Sequence, residues 1–238
     1  MKKMILPILI LILLLTGCSG KTGEIENGYT NFGNLESEQF RRPEIGEEMV
    51  VITTNKGVIK ARLLEENAPI YVENFKHWVR EGAYDGEKFH MGRENGFIGM
   101  LNDELHRKYR FKEHYKIENE IDYRVVSGAL VNMKVKGEPS STFAIIANYE
   151  IEQIEIDRME NLSEEYGYTR EVIKAYKKLG GEPENEYLYS IFGQVFYGMD
   201  TVYEISKMPT KLVEGRYHIF IDDIIIEKIE ILPYEGDI

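Results

Sequence analysis

The chain has 238 residues, and its apolar content of 43% is enough to build the core of one ordinary domain. The 29 Lys and Arg residues against 41 Asp and Glu residues give a net charge of -12, which argues against a nucleic-acid partner because phosphate binding needs clustered positive charge. Cys18 is the single cysteine, which excludes an intrachain disulfide and a thiolate metal site. The five histidines lack HxxxH and HExxH spacing, so we expect no metal site.

The N-terminal segment is typical of an export signal. Lys2 and Lys3 precede an apolar run over 4–15, which at about 12 residues is too short to span a bilayer as a helix. The sequence Leu15-Thr16-Gly17-Cys18 resembles the lipobox of bacterial lipoproteins, whose cysteine is lipidated and becomes the mature N-terminus. We therefore expect a signal peptide over 1–17 and a lipid anchor at Cys18, on the extracytoplasmic face of a bacterial cell membrane. The alternative is an ordinary signal peptide with a chance cysteine.

Residues 18–47 predict a flexible tether between this anchor and the folded domain. The segment is polar, contains several glycines and Pro43, and shows no sustained apolar period. We expect the globular domain to cover 48–238.

The first elements of the domain are a hairpin and a helix. Runs rich in β-branched residues over 49–54 and 58–64 flank Asn55-Lys56-Gly57, which predicts a β-hairpin. Pro69 suits the first turn of a helix. The apolar residues that follow it fall at helical spacing, namely Val72, Phe75, Trp78 and Val79. The glycine-containing segment 81–86 ends the helix, and Phe89-His90 begins another strand.

A later segment, 151–186, is first acidic and then helical. Thr169 can cap a helix whose apolar face carries Val172, Tyr176 and Leu179, and Gly180-Gly181 ends it. We favour the interpretation that this insertion is a surface helix covering the wall of the domain. A lid over the substrate is the alternative. The next stretch, 191–200, predicts a strand that turns at Gly198 and opens an amphipathic segment.

Several short segments in a fixed order carry a resemblance to a known family. They are Ala68-Pro69-Ile70-Tyr71-Val72-Glu73-Asn74-Phe75, Tyr84-Asp85-Gly86, Phe89-His90, Glu118-Asn119-Glu120, Gly128-Ala129-Leu130, Ser141-Thr142-Phe143-Ala144-Ile145, Phe192-Gly193-Gln194-Val195 and Gly198-Met199-Asp200. From about 49 to 231 the chain resembles the cyclophilin-type peptidyl-prolyl cis-trans isomerases. The resemblance implies a mostly β fold, a closed eight-stranded antiparallel barrel capped by two helices, to which this chain adds an inserted helix.

The same resemblance implies a peptide-binding groove in which many family residues are replaced. The family's catalytic arginine falls on Met91, its glutamine on Met100, and its histidine on Tyr189. One pocket phenylalanine falls on Ala144, and the tryptophan falls near Glu184. The residues expected to contact substrate are Phe89, Met91, Phe97, Ile98, Met100, Phe143 and Tyr189.

Arg93 is the candidate for the missing cationic donor. It lies two residues after Met91, so both side chains would face the same way along an extended strand. The segment 91–96 is also one residue longer than usual, which is compatible with a β-bulge that re-aims a side chain. The alternative is a solvated arginine at a strand end.

Three functions remain open, of which the third is a structural barrel lipoprotein without a groove function. The first is a membrane-anchored peptidyl-prolyl isomerase of weak activity, which acts on proline-containing polypeptides and assists the folding of exported proteins. The second is a catalytically inactive lipoprotein that binds peptides or a partner protein through a remodelled groove. Isomerisation needs no metal and no cofactor, so none is expected.

Overall fold

The structure is a computed structural model that describes residues 25–100, 123–135, 138–162 and 166–236, without the side chains of 133–140 and 187–188. The predicted signal peptide over 1–17, the lipidation site Cys18 and the Glu118-Asn119-Glu120 segment lie outside the described residues.

The described part of the chain is mostly β. Its strands are β1 (Ile25–Glu26), β2 (Tyr29–Thr30), β3 (Glu48–Thr54), β4 (Gly57–Leu63), β5 (Lys88–Gly92), β6 (Phe97–Gly99), β7 (Ala129–Val135), β8 (Glu138–Ile146), β9 (Ser190–Tyr197), β10 (Thr210–Val213) and β11 (Tyr217–Pro233). Its α-helices are α1 (Pro69–Arg80), α2 (Gln153–Leu162), α3 (Arg170–Leu179) and α4 (Met199–Ser206). Short 3-10 helices cover Glu38–Phe40 and Pro183–Leu188.

Eight of these strands form a closed antiparallel barrel. The hydrogen-bonded order is β9, β4, β3, β11, β5, β6, β8 and β7, and β7 pairs again with β9 to close the ring. Strands β1 and β2 extend the sheet from β9, while β10 pairs with β11. The predicted eight-stranded barrel is therefore confirmed. Closure leaves the ring without a free edge strand.

The barrel interior is an apolar core that both capping helices help to seal. Phe143 is buried and its ring lies 5.5 Å from Phe75 of α1 and 5.8 Å from Phe89 of β5. Helix α1 begins at Pro69 as predicted, and it buries Tyr71, Val72 and Phe75 in this core. Helix α4 buries Met199, Val202 and Ile205 in the same cluster.

Helix α4 begins at a turn that requires glycine. Gly198 has φ +86°, and a Cβ there would lie 2.2 Å from the carbonyl oxygen of Val58. Residues that carry a side chain rarely adopt this φ, and the close approach of β4 leaves no room for a Cβ atom. The strand, turn and helix predicted over 191–200 are confirmed.

The insertion forms two helices that pack on the outside of the barrel. Thr169 caps α3 by accepting a hydrogen bond from the Val172 backbone N–H at 3.3 Å, as predicted. Apolar residues from both helices join barrel residues in a second apolar cluster, the second core. The insertion contributes Ile156, Met159, Ala175, Tyr176 and Leu179, and the barrel side contributes Met49, Val126, Phe196 and Tyr234. These contacts support the interpretation that the insertion covers the barrel wall.

The expected tether over 18–47 needs correction from Ile25 onward. Residues 25–47, the N-terminal strap, pack against the barrel, and Phe32 and Phe40 are buried in the second core. Gln39 has 0% exposure, and its amide binds Gln194 of β9 and the backbone of Arg124. Glu47 accepts hydrogen bonds from Arg41 at 2.8 Å and Arg62 at 2.7 Å. Because Gln39 and Glu47 also bind Arg124, Gln194 and Arg62, which lie outside the strap, the polar composition of the strap does not make it flexible.

Candidate active site

One stretch of the outer barrel surface carries an apolar cluster that is separate from the interior. The outer cluster consists of buried Leu64, Val125, Ala129, Val131, Ala144, Ile146 and Ile191, against which Phe97, Tyr123 and Tyr189 pack half-buried. The alternation of side chains along a strand explains it. On β8, Phe143 and Ile145 point into the barrel, whereas Ala144 and Ile146 point outward.

Two of the seven residues expected to contact substrate, Phe97 and Tyr189, lie in this outer cluster. Between them the strands carry small side chains, because Ala144 pairs with Gly99 on β6 and with Val131 on β7. The partly exposed Phe97 ring therefore stands beside a low apolar floor. The floor itself is buried, so the half-buried rings that pack on it, above all Phe97, are the apolar groups that a proline ring can contact.

Four other predicted contact residues belong to the barrel interior. Phe89, Ile98, Met100 and Phe143 are all buried in the interior core. The pairing of β6 with β8 sets this arrangement, since Ile98 opposite Ile145 faces inward while Phe97 opposite Ile146 faces outward. The expectation that these four side chains contact substrate is corrected, and their role is to fill the core.

Met91 occupies the place where the resemblance expects the catalytic arginine. It is 7% exposed and pairs with Gly99 on one side and Ile219 on the other. A thioether at this position offers no hydrogen-bond donor.

Arg93 lies at the hairpin that joins β5 to β6. Its backbone N–H donates to the Phe97 carbonyl oxygen at 3.0 Å, and its exposed side chain folds over Gly96. The ladder from Met91–Gly99 to Gly92–Ile98 is regular. The extra residue therefore enlarges the hairpin loop, where Asn95 has φ +52°, and does not form the expected bulge within the paired residues. The loop places Arg93 next to Phe97.

Glu182 also belongs to this region, although its position in the sequence gives no sign of it. Its backbone N–H donates to the carbonyl oxygen of Val125, a member of the outer cluster, at 2.8 Å. The Glu182 side chain is 2% exposed, and burial raises its pKa, while the hydrogen bond from Asn185 and the charge of Arg93 act in the opposite direction. The Asn185 side chain donates to Oε2 at 2.8 Å, but Oε1 is buried and has no hydrogen-bond partner among the described residues.

Tyr189 connects these charged groups to the outer cluster. Burial raises the pKa of Tyr189 to about 12, the charge of Glu182 adds to this effect, and the charge of Arg93 counteracts it. Both charges therefore lie close to the Tyr189 hydroxyl. The site combines an apolar floor with one phenol, one carboxyl group and one guanidinium group.

The described residues show neither a metal site nor a membrane-spanning helix. Within 25–100, 123–135, 138–162 and 166–236, no group of three or more His, Cys, Asp or Glu side chains is placed to hold a metal ion. In the same described ranges, no helix is long and apolar enough to cross a bilayer.

Comparison with known proteins identifies the family. Residues 49–231 match the family described as cyclophilin type peptidyl-prolyl cis-trans isomerase/CLD. The chain is a cyclophilin. The cyclophilin match spans all eight barrel strands apart from the first residue of β3 and the last two residues of β11, and it includes the insertion.

Two curated relatives of this cyclophilin come from staphylococci. A Staphylococcus saprophyticus protein, named provisionally as a peptidyl-prolyl cis-trans isomerase, is 27% identical over 211 residues, which cover 85% of this chain and 99% of the relative. A Staphylococcus aureus (strain USA300) protein with the same provisional name is 26% identical over 194 residues, which cover 78% of this chain and 92% of the relative.

Solved cyclophilin structures share the fold of this chain. A Cryptosporidium parvum cyclophilin, crystallised in the presence of the dipeptide Ala-Pro, superposes with a TM-score of 0.55 at 20% identity, covering 78% of this chain and 99% of that one. A cyclophilin from Hirschia baltica superposes with a TM-score of 0.51 at 12% identity, covering 79% of this chain and 75% of that one. At these identities the likeness concerns the barrel.

Proposed function

We propose that this cyclophilin binds proline-containing polypeptides on its outer cluster and isomerises their X-Pro bonds slowly. The observation that carries the proposal is the meeting of Phe97, Tyr189 and Arg93 at one end of the apolar floor of a cyclophilin barrel. The half-buried rings on this floor, above all Phe97, contact the proline ring, and polar groups at its edge orient the peptide.

Isomerisation of an X-Pro bond requires few groups from the protein. Rotation about the peptide C–N bond has a barrier of about 18–20 kcal/mol because amide resonance must be broken. In the twisted state the lone pair localises on the prolyl nitrogen, so a hydrogen-bond donor placed near that nitrogen lowers the barrier. Arg93 supplies the cationic donor in this proposal, and the Tyr189 hydroxyl can donate to a peptide carbonyl. Neither role requires a metal or a cofactor.

The replaced residues set the expected rate. Met91 replaces the family's arginine on strand β5. Arg93, the proposed donor, lies instead in the loop between β5 and β6. A donor on a loop is less precisely oriented than one on a strand, and small displacements of catalytic groups are costly. We therefore propose an activity well below that of cyclophilins that keep the arginine.

The cellular setting is part of the proposal. The basic and apolar segment over 1–17 supports export, and Cys18 supports lipid anchoring at the extracytoplasmic face of the membrane. Exported polypeptides are then the clients, because X-Pro isomerisation is slow enough to limit their folding.

A peptide-binding protein without catalysis is the second candidate. The burial of Met91 and the placement of Met100 in the interior core favour it, because neither position provides a donor to the peptide. Peptide binding on the outer cluster is common to both candidates, so catalysis itself has to be measured.

Exchange NMR on a short Ala-Pro-containing peptide tests the two candidates. We expect slow but measurable isomerisation, lost in Arg93→Ala and partly kept in Arg93→Lys. Arg80→Ala, an exposed arginine of α1, is the matched control and should keep the wild-type rate. Peptide binding with no exchange supports the second candidate, and a rate typical of arginine-containing cyclophilins contradicts the proposed weak activity. An unchanged rate in Arg93→Ala shows that Arg93 is not the donor.

A further inference from the structure

The buried carboxyl group of Glu182 has a hydrogen-bonding capacity that the described fold does not use. Buried polar side chains are nearly always hydrogen-bonded, and a buried carboxylate oxygen without a donor is costly. Asn185 satisfies Oε2, yet within the described part of the chain Oε1 is left without a partner. The fold therefore holds an acceptor ready for a donor that comes from elsewhere.

The backbone around Glu182 holds this acceptor firmly in place. Gly181 forms a β-bridge with Val126, and the next N–H, from Glu182, donates to Val125. Asn185 then binds Glu182 twice, since its backbone N–H donates to the Glu182 carbonyl oxygen at 3.0 Å and its side chain donates to the carboxyl group. The carboxyl group is thus fixed at the edge of the outer cluster.

The surroundings of Glu182 favour a cation as the missing donor. Glu184, two residues along the chain, is exposed and adds a second negative charge. The outer cluster next to it is apolar, and a lysine or arginine side chain can lay its aliphatic stem on such a surface while its charged end reaches the carboxylate. Arg93 is near enough to influence Glu182, but it forms no hydrogen bond with Oε1.

We propose that Glu182 determines specificity at the outer cluster. It selects proline-containing peptides that carry a lysine or arginine adjacent to the proline. The inference rests on the proposed binding of peptides to the outer cluster. It goes further because it assigns a charge preference to a residue that isomerisation itself does not need.

The test measures peptide affinity by NMR titration of the whole protein. Two series of short peptides carry Lys, norleucine or Glu directly before or directly after one proline. Norleucine keeps the aliphatic stem of lysine and removes the charge. We expect the lysine peptide of at least one series to bind about tenfold more tightly than its norleucine counterpart, as for one charge-assisted hydrogen bond. Glu182→Gln should abolish that preference, so that lysine and norleucine peptides bind with equal affinity.

Glu184→Gln is the matched control, because it changes the net charge equally at an exposed neighbouring position. It should keep most of the lysine preference. An equal loss of the lysine preference in both variants would mean that the overall negative charge of the region, and not Glu182, selects the peptide. A similar loss of affinity for all peptides in Glu182→Gln would mean that Glu182 accepts a main-chain N–H, which also overturns the proposal.

The outcomes separate this inference from the proposed function. If norleucine peptides bind and lysine gives no gain, the charge preference is wrong while peptide binding stands. If no peptide binds, both are wrong. Thermal unfolding of each variant checks that the exchanged side chains leave the fold intact.

Discussion

Gln39 donates a hydrogen bond from its side-chain amide to Oε1 of Gln194 at 3.0 Å, across a sequence separation of 155 residues. Gln194 in turn donates to the carbonyl oxygen of Ser127 at 2.9 Å. The Gln39 amide also donates to the Arg124 carbonyl oxygen and accepts from the Arg124 N–H. The Gln39 side chain of the strap therefore satisfies the backbone of Arg124 and the side chain of Gln194.

Replacing Gln39 by alanine should loosen the strap and weaken the whole barrel. The change leaves the Arg124 backbone groups and Gln194 Oε1 buried without these partners, so we expect the free energy of unfolding to fall by about 2–4 kcal/mol. Chemical denaturation measures it. Glu36→Ala, at an exposed position of the same strap, should change stability by less than about 0.5 kcal/mol. Equal stabilities for the two variants would contradict the anchoring role of Gln39.

The interior and outer phenylalanines should respond differently to truncation. Phe143→Ala opens a cavity among buried aromatic rings and should cost about 3–5 kcal/mol of unfolding free energy. Phe97→Ala removes a half-exposed ring, so it should cost about 1 kcal/mol but weaken peptide binding. Denaturation and peptide titration are measured on the same samples. A large stability loss in Phe97→Ala with unchanged binding would place Phe97 in the core instead.

Tyr176 and Glu186 give a test of whether the insertion is wall or lid. The buried Tyr176 hydroxyl donates to Glu186 Oε1 at 2.5 Å, and Glu186 also pairs with Arg124 at 3.1 Å. Tyr176→Phe should lower the free energy of unfolding by about 1.5–3 kcal/mol, because a buried bond to a charged acceptor is lost. Tyr166→Phe, which is 64% exposed in the same insertion, is the control and should be neutral. A lid would show the reverse, with stability retained and peptide exchange altered.

Acid should weaken the attachment of the strap through Glu47. Burial raises the pKa of Glu47, but hydrogen bonds from Arg41, the Glu44 backbone N–H and Arg62 outweigh this effect and lower it from 4.5 to about 2. A folded-state pKa below the unfolded one stabilises the fold above about pH 4.5, and that stability is lost as the pH falls toward 2.

The Glu47 contribution can be isolated by substitution. Because the side chain is 26% exposed and solvent screens it, we expect it to amount to about 1 kcal/mol. Glu47→Gln should lower stability at pH 7 and flatten the decline between pH 4.5 and 2, measured by denaturation across that range. Glu36→Gln is the control. A wild-type pH profile in Glu47→Gln would contradict this assignment.

Local patterns were sufficient to predict many elements of the fold. The hairpin around Asn55-Lys56-Gly57, the helix opened by Pro69, the cap at Thr169 and the turn at Gly198 all depend on a few neighbouring residues. The strap could not be predicted in this way. Phe32, Gln39 and Phe40 are isolated within a polar segment, and their burial depends on partners far away in the chain.

The candidate site could be predicted only in part for a related reason. The family resemblance located the right strands, but a shift of one residue decides whether a side chain faces the core or the outside. Phe97 and Ile98 differ in this way, as do Ala144 and Phe143. Glu182 was missed because neither its burial nor its proximity to Tyr189 leaves a local pattern in the sequence.

The attachment of the strap from Ile25 onward changes how far the proposed anchor would let the barrel travel. Six residues lie between Cys18 and Ile25, and even a fully extended chain spans only about 25 Å between these two positions, against about 100 Å for a free segment over 18–47. A barrel attached through such a short linker would stay close to the membrane surface. It would meet polypeptides within a few nanometres of the bilayer, where newly exported chains emerge.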